Sequence, residues 1–196
     1  MICSKAEPLS SESASSLLKK GEIVILPTDT VYGFSGIADL KGKTSFCTQE
    51  TIARIKNRDF GKPLIMLIAS PSDLSLYTDE VLPPVLAEKW PGSLTVIVPL
   101  KEDNPLDTSL KTAAFRCPGD EWLRSVIEKT GAPVYSTSVN RSGNPVLDHI
   151  SDIKKEFSDD VPLIVDDGDK TGALPSTIVK LQNGSWTVIR QGSVIV

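Results

Sequence analysis

Apolar residues in this chain gather in short runs rather than long stripes. Residues 23–26, 64–69, 94–100, 132–135 and 162–165 are nearly continuous apolar segments, several of them rich in β-branched side chains and bounded by Gly, Pro or Ser. That pattern predicts buried strands. Residues 35–39 read as a second strand returning beside the first, and residues 112–118 as a strand interrupted by Arg116. Near the end, residues 177–181 and 186–190 flank Asn183-Gly184, a dipeptide that predicts a hairpin and hence an antiparallel edge. The intervening segments have helical spacing. Ala14, Leu17 and Leu18 share a face within residues 10–20, with Gly21 as a stop. From about Thr48 to Arg58, Ile52 and Ile55 oppose Arg54 and Arg58. Residues 71–89 read as helix in two pieces broken at Pro83-Pro84. Asp120 is placed to cap a helix carrying Trp122, Leu123, Val126 and Ile127, and residues 150–157 form another. Strands alternating with helices in this way predict an α/β fold.

The first strand breaks at Pro27 into Thr28-Asp29-Thr30-Val31-Tyr32-Gly33. Residues 132–135 end in Ser136-Thr137-Ser138-Val139-Asn140, and Leu174-Pro175-Ser176-Thr177 puts hydroxyls at a third strand boundary. Each is either an ordinary turn or a set of short polar groups held rigidly at a crevice. Arg54, Lys56, Arg58 and Lys62 lie within nine positions at a helix end and the following loop. They form either a solvated face or a clamp for a polyphosphate, which the planar fork of Arg and the compact charge of Lys both suit. Arg116, in an apolar strand, requires an anionic partner from the protein or from a ligand.

Bulk properties narrow the field. A length of 196 residues favours one domain, and 40% hydrophobic with 23% charged residues is a globular composition. No run approaches the roughly 20 apolar residues that span a bilayer, and residues 1–5 carry no export pattern, so a cytoplasmic protein without membrane association is expected. A formal charge of -4 argues against general coating of nucleic acid but leaves room for a local basic cleft. The three cysteines have no metal-site or redox spacing. His149 has no visible catalytic partner, and Asp166-Asp167-Gly168-Asp169 reads as an acidic turn rather than a calcium loop. No GxSxG, HExxH or P-loop pattern occurs.

Taken in order, Pro27-Thr28-Asp29-Thr30-Val31-Tyr32-Gly33, Lys56-Asn57-Arg58 with Lys62-Pro63-Leu64, Trp90-Pro91-Gly92-Ser93-Leu94-Thr95, Arg116-Cys117-Pro118, Ser138-Val139-Asn140-Arg141-Ser142-Gly143, Pro175-Ser176-Thr177 and Ile189-Arg190-Gln191-Gly192 resemble the signature of the YrdC/TsaC family over roughly residues 10–193. The resemblance implies a single YrdC-like domain over residues 1–196: a twisted mixed sheet with flanking helices and an open, positively charged concave surface. It implies a nucleotidyltransferase, an L-threonylcarbamoyladenylate synthase, that joins L-threonine, bicarbonate and ATP, with Mg²⁺ carried on the ATP phosphates. Pyrophosphate is released, and the adenylate goes to partner proteins that modify adenosine 37 of tRNA.

Carried over by position, the resemblance puts Thr30, Arg116, Ser138 and Ser176 around threonine. It puts Lys56, Arg58, Lys62, Thr112, Asn140 and Arg190 around ATP, with Lys56, Arg58, Ser138 and Asn140 as the diagnostic KxR and SxN tetrad. Two segments depart from the family pattern: Arg58-Asp59-Phe60-Gly61 adds a carboxylate beside the clamp, and Asn144-Pro145-Val146-Leu147-Asp148 replaces a serine-proline-threonine stretch. Two other readings stay open, a double-stranded RNA or tRNA binding module on the same scaffold and a YciO-like paralogue with a weak or different activity.

Overall fold

A computed structural model describes residues 1–59 and 64–196. The apolar runs form one ten-stranded sheet. In chain order the strands are β1 (Ile2–Ser4), β2 (Val24–Leu26), β3 (Gly33–Ile37), β4 (Ile65–Leu67), β5 (Leu94–Pro99), β6 (Thr112–Arg116), β7 (Val134–Ser138), β8 (Ile164–Asp166), β9 (Thr177–Gln182) and β10 (Ser185–Arg190). The helices are α1 (Ser10–Lys19), α2 (Thr48–Ile55), α3 (Pro84–Ala87), α4 (Glu121–Thr130) and α5 (Ile150–Phe157). Across the sheet the order is β1-β8-β2-β3-β7-β4-β6-β5-β9-β10, with parallel and antiparallel pairs mixed. The Asn183-Gly184 turn joins β9 and β10 as the antiparallel edge expected.

Strand alternation divides the core in two. Ile25, Phe34, Met66, Val96, Phe115, Tyr135, Ile164 and Val179 pack into the larger cluster on one face. Val24, Leu26, Leu67, Val134 and Val165 point the other way, into a smaller cluster with Ala14 and Leu18 of α1 and Leu123, Val126 and Ile127 of α4. These two helices cover only part of that second face. Beyond them, the positions in step with Leu67 and Val134 are Ile65, Ser136 and Ser138, then Ala114, Ile97, Thr95 and Ile178 on the neighbouring strands. Ile65, Ser136, Ser138, Ile97 and Ile178 are half-buried, so this part of the sheet lies open.

Several local expectations are corrected. Residues 71–89 hold only a 3-10 turn, Pro71–Leu76, and the four-residue α3, and Pro83 and Pro84 withhold the backbone donors that a helix running through them would need. The helix expected to reach Arg58 stops at Ile55, where Asn57 takes a left-handed conformation (φ 53°). The strand expected to stop at Tyr135 runs on to Ser138, which puts its serines inside the ladder. β1 was not expected; it pairs with β8 in parallel. No helix among the described residues is long and apolar enough to cross a membrane.

Candidate active site

The open part of the sheet contains a hollow of about 220 Å³ whose lining includes Thr30, Arg116, Ser138, Ser176 and Arg190, residues from five separate stretches of the chain. Thr28, Tyr32, Ser136 and Thr137 line it as well. Gly33 permits the close packing on one side: a Cβ there would sit 2.5 Å from the Ser136 hydroxyl.

Proton positions around Thr30 follow from its neighbours. Thr28 Oγ1 donates to the carbonyl of Val31 (2.7 Å), so it accepts from Thr30 N (3.0 Å) and from the Thr30 hydroxyl (2.9 Å). Arg116 Nη1 donates to that same Thr30 oxygen at 2.9 Å. What the Thr30 oxygen retains is acceptor capacity, suited to an ammonium group. Arg116 is 4% exposed and has its anionic partner within the protein, Asp29 at 2.6 Å, while its Nε donates to the Gly92 carbonyl. The second Asp29 oxygen accepts from Gly119 N (2.9 Å), which fixes the carboxylate.

The opposite wall is built by β9 and β10. Arg190 donates through Nε and Nη2 to the Ser176 carbonyl (3.2 and 2.8 Å), and the Ser176 hydroxyl bonds that of Thr95 (2.8 Å). Burial, with Arg116 nearby, pulls the Arg190 guanidinium down from its ordinary value. Two guanidinium groups thus face one small space.

Lys56, the C-cap of α2, is 3% exposed. Its ammonium donates to the Ser138 carbonyl, to the Asn140 carbonyl (3.1 Å) and to Asn140 Oδ1 (2.8 Å). All three of its donors are therefore committed to the end of β7. Ser138 Oγ also donates to Asn140 Oδ1 (2.9 Å), and Asn140 Nδ2 bonds the Asn144 carbonyl (2.7 Å). Burial, then the Arg58 guanidinium, lowers Lys56 to about 8. Lys56, Ser138 and Asn140 accordingly form one hydrogen-bonded cluster at the end of β7, close enough to Arg58 to feel its charge, and of these four residues Ser138 lines the hollow.

Two other expected residues are less central. Thr112 is exposed at the start of β6 and lies outside the hollow's lining. Its ladder partner is Pro99 of β5. Lys62 falls outside the described residues.

Four supporting residues stand within the quoted family motifs without a role assigned to them there. Asp29 anchors Arg116 and Thr95 anchors Ser176. Arg141 donates to the Ile55 carbonyl, pairs with Asp160 at 2.6 Å and lies over the Phe157 ring, which ties the loop after β7 to α2 and α5. Gly192 packs against the backbone of Pro175 and Ser176. The serine pair at i and i+2 in β7 could have been read as strand periodicity; the anchors, whose partners lie far away in sequence, carried no such signal. The acidic turn is occupied by ion pairs: Lys154 with Asp166, Lys5 and Lys170 with Asp167, and His149 with Asp169.

The chain is 30% identical to a threonylcarbamoyl-AMP synthase of Bacillus subtilis over 187 residues, covering 92% of this chain and 53% of that protein. It is 27% identical to the enzyme of that name from Pseudoalteromonas translucida, covering 88% of this chain and 93% of that one. Its fold superposes on Pyrococcus abyssi Sua5 complexed with L-threonine with a TM-score of 0.83 at 28% identity, over 98% of this chain and 57% of that one. The chain spans about half the length of the Bacillus and Pyrococcus relatives it matches. The model of the Sua5, YciO and YrdC family, described as "Telomere recombination", matches residues 16–192, and the chain belongs to that family.

Proposed function

We propose that this chain is an L-threonylcarbamoyladenylate synthase. The observation that carries the reading is the convergence of Thr30, Arg116, Ser138, Ser176 and Arg190 on one hollow. Its volume suits an amino acid better than a nucleoside triphosphate, which must extend over the open sheet toward Lys56, Arg58, Asn140 and Thr112. Lys62 belongs to this ATP group by family position. In this reading the Thr30 oxygen accepts from the substrate ammonium, Arg190 attracts its carboxylate, and Arg116 holds Thr30 in position against it.

The chemistry needs no side-chain nucleophile. Once deprotonated, the threonine nitrogen attacks the carbon of CO₂ derived from bicarbonate, giving a carbamate. A carbamate oxygen then attacks the α-phosphorus of ATP, and the bond to the bridging oxygen breaks to release pyrophosphate. Holding the reactants in line can supply about 7 to 11 kcal/mol of the barrier reduction, and fixed donors on the developing phosphate charge add to it. Mg²⁺ enters with the triphosphate as part of the substrate. The product is an activated adenylate, which a tRNA-modifying partner protein would consume.

The purified chain incubated with ATP, bicarbonate and L-threonine should release pyrophosphate and form the adenylate. Omission of threonine or bicarbonate should abolish both. Arg58→Ala should remain folded and lose the activity. Salt-sensitive tRNA binding with no pyrophosphate release would instead favour an RNA-binding module on this scaffold.

A further inference from the structure

The sheet ends in two unequal edges. β1, at one end, is only three residues long, which blunts it as a template for further pairing. β10, at the other, has six residues, all exposed, and contains neither Pro nor Lys, which ordinarily protect a free edge. Asn183 (φ 54°) and Gly184 (φ 72°) make a two-residue turn, so Ser185 opposite Gln182 and Thr187 opposite Lys180 are the pairs that bond to β9. By the alternation of an antiparallel ladder, Trp186 and Val188 turn their N–H and C=O groups the other way. Among the described residues, nothing outside the hairpin meets those groups.

Trp186 and Val188 are 37% and 47% exposed, and their side chains share one face of the strand. A strand of this pattern is complementary to itself. Set antiparallel to a second copy with Thr187 opposite Thr187, Trp186 of each chain stands opposite Val188 of the other, and both are residues whose backbone groups point outward to bond. This alignment closes roughly four backbone hydrogen bonds and makes two aromatic–β-branched contacts, with a threonine pair at the axis on the other face. A slide of one residue sets outward groups against inward ones, and a slide of two leaves half of them unmatched. The charges agree with the same direction. Glu80 accepts from Asn183 N (2.7 Å) and Gly184 N (3.2 Å), which makes the turn end of β10 negative, while Arg190 closes the other end. Antiparallel pairing puts each end beside the opposite end of the second copy. Lys180, one strand in from Thr187, lies about 14 Å from its copy, beyond the roughly 8 Å over which exposed charges act at physiological salt.

We propose that β10 is a self-association edge, through which two copies of this chain pair antiparallel about Thr187 into one continuous sheet. The two-fold axis runs perpendicular to the sheet, so both candidate sites open on the same face, and with both β10 edges consumed the assembly closes at a dimer. Contact through one strand is small beside a standard interface, so the dimer is weak. The pairing is independent of the proposed synthase reaction.

Sedimentation of the full chain from about 1 to about 500 µM should show reversible monomer–dimer exchange, with half-association at roughly 10 to 100 µM. Val188→Lys, at an exposed position, should raise the dissociation constant at least about tenfold and leave the melting temperature within about 2 °C. Thr187→Cys, with Cys3→Ser and Cys47→Ser, should cross-link two copies on mild oxidation, because Cα atoms in such a pair stand about 4.5 Å apart, within disulfide reach. Ser185→Cys in the same background should not, its symmetry mate lying roughly 14 Å away. Monomeric sedimentation throughout, a dimer indifferent to Val188→Lys, or equal cross-linking of the two cysteine variants would overturn the proposal; the first of these would leave the edge to an extended segment of a different protein.

Discussion

Two buried cations stand near the hollow and are satisfied in opposite ways. Arg116 has a carboxylate, Asp29, at 2.6 Å, and its charge is neutralised inside the protein. Lys56 is equally buried but donates only to two carbonyls and an amide oxygen, and no carboxylate of the described residues lies within ion-pair distance of it. Arg116 therefore fixes the shape of the end where threonine is proposed to bind. Lys56 holds β7 in place while leaving positive potential uncompensated at the end where phosphates are proposed to lie, and a buried charge without a protein counter-ion is one that a ligand can complete.

The largest effect should come from breaking the neutralised pair. Arg116→Met strands Asp29 and removes the donor to Thr30, so stability should fall by about 3 kcal/mol in urea unfolding, and pyrophosphate release should disappear. Lys56→Met should cost less, roughly 1 to 2 kcal/mol, because removing the buried ammonium also removes its desolvation. Its activity should nevertheless fall at least about tenfold through displacement of Ser138 and Asn140. If the two variants lose equal stability, the contrast between the cations is wrong.

The same contrast has a pH signature. The folded value for Lys56, about 8, lies below the ordinary 10.5, so between them the unfolded chain holds more protons. Native stability measured relative to Lys56→Met should rise with pH through that window. A difference that fell with pH would contradict the burial argument.

A smaller effect is expected away from both cations. A Cβ on Gly192 would lie 2.2 Å from the Pro175 carbonyl oxygen, so Gly192→Ala should cost about 2 kcal/mol and raise KM for threonine by displacing Ser176. The smallest effect should come from His149, an exposed residue bonded to Asp169 at 3.0 Å. That bond raises the His149 pKa, so its contribution is present below about pH 6.5 and is lost as pH rises through the folded value. His149→Asn should leave the urea midpoint essentially unchanged at neutral pH.

Hydrophobic periodicity located most strands because burial on both faces of a sheet leaves a continuous apolar trace, as in residues 23–26 and 94–100. It missed β1, whose three residues are mostly exposed and bury too little to show a pattern. In residues 71–89 apolar spacing suggested helix, and proline chemistry prevailed. At the candidate site the hydroxyl-bearing strand ends were visible locally. That Arg116 needed an anion was also legible, but not that Asp29, 87 positions away, supplies it. The commitment of Lys56 was hidden for a further reason: two of its three acceptors are backbone carbonyls, which every residue has and no sequence pattern marks.

The wall formed by Ser176 and Arg190 has a temporal consequence. Thr177 Oγ1 accepts from Gly192 N and Val194 N and donates to the Val194 carbonyl, so residues 175–194 lock together as one piece. On a translating ribosome, Thr30, Arg116 and Ser138 emerge long before that piece exists. A nascent chain thus carries a half-built basin, open to solvent on one side, until residues 175–194 have left the exit tunnel.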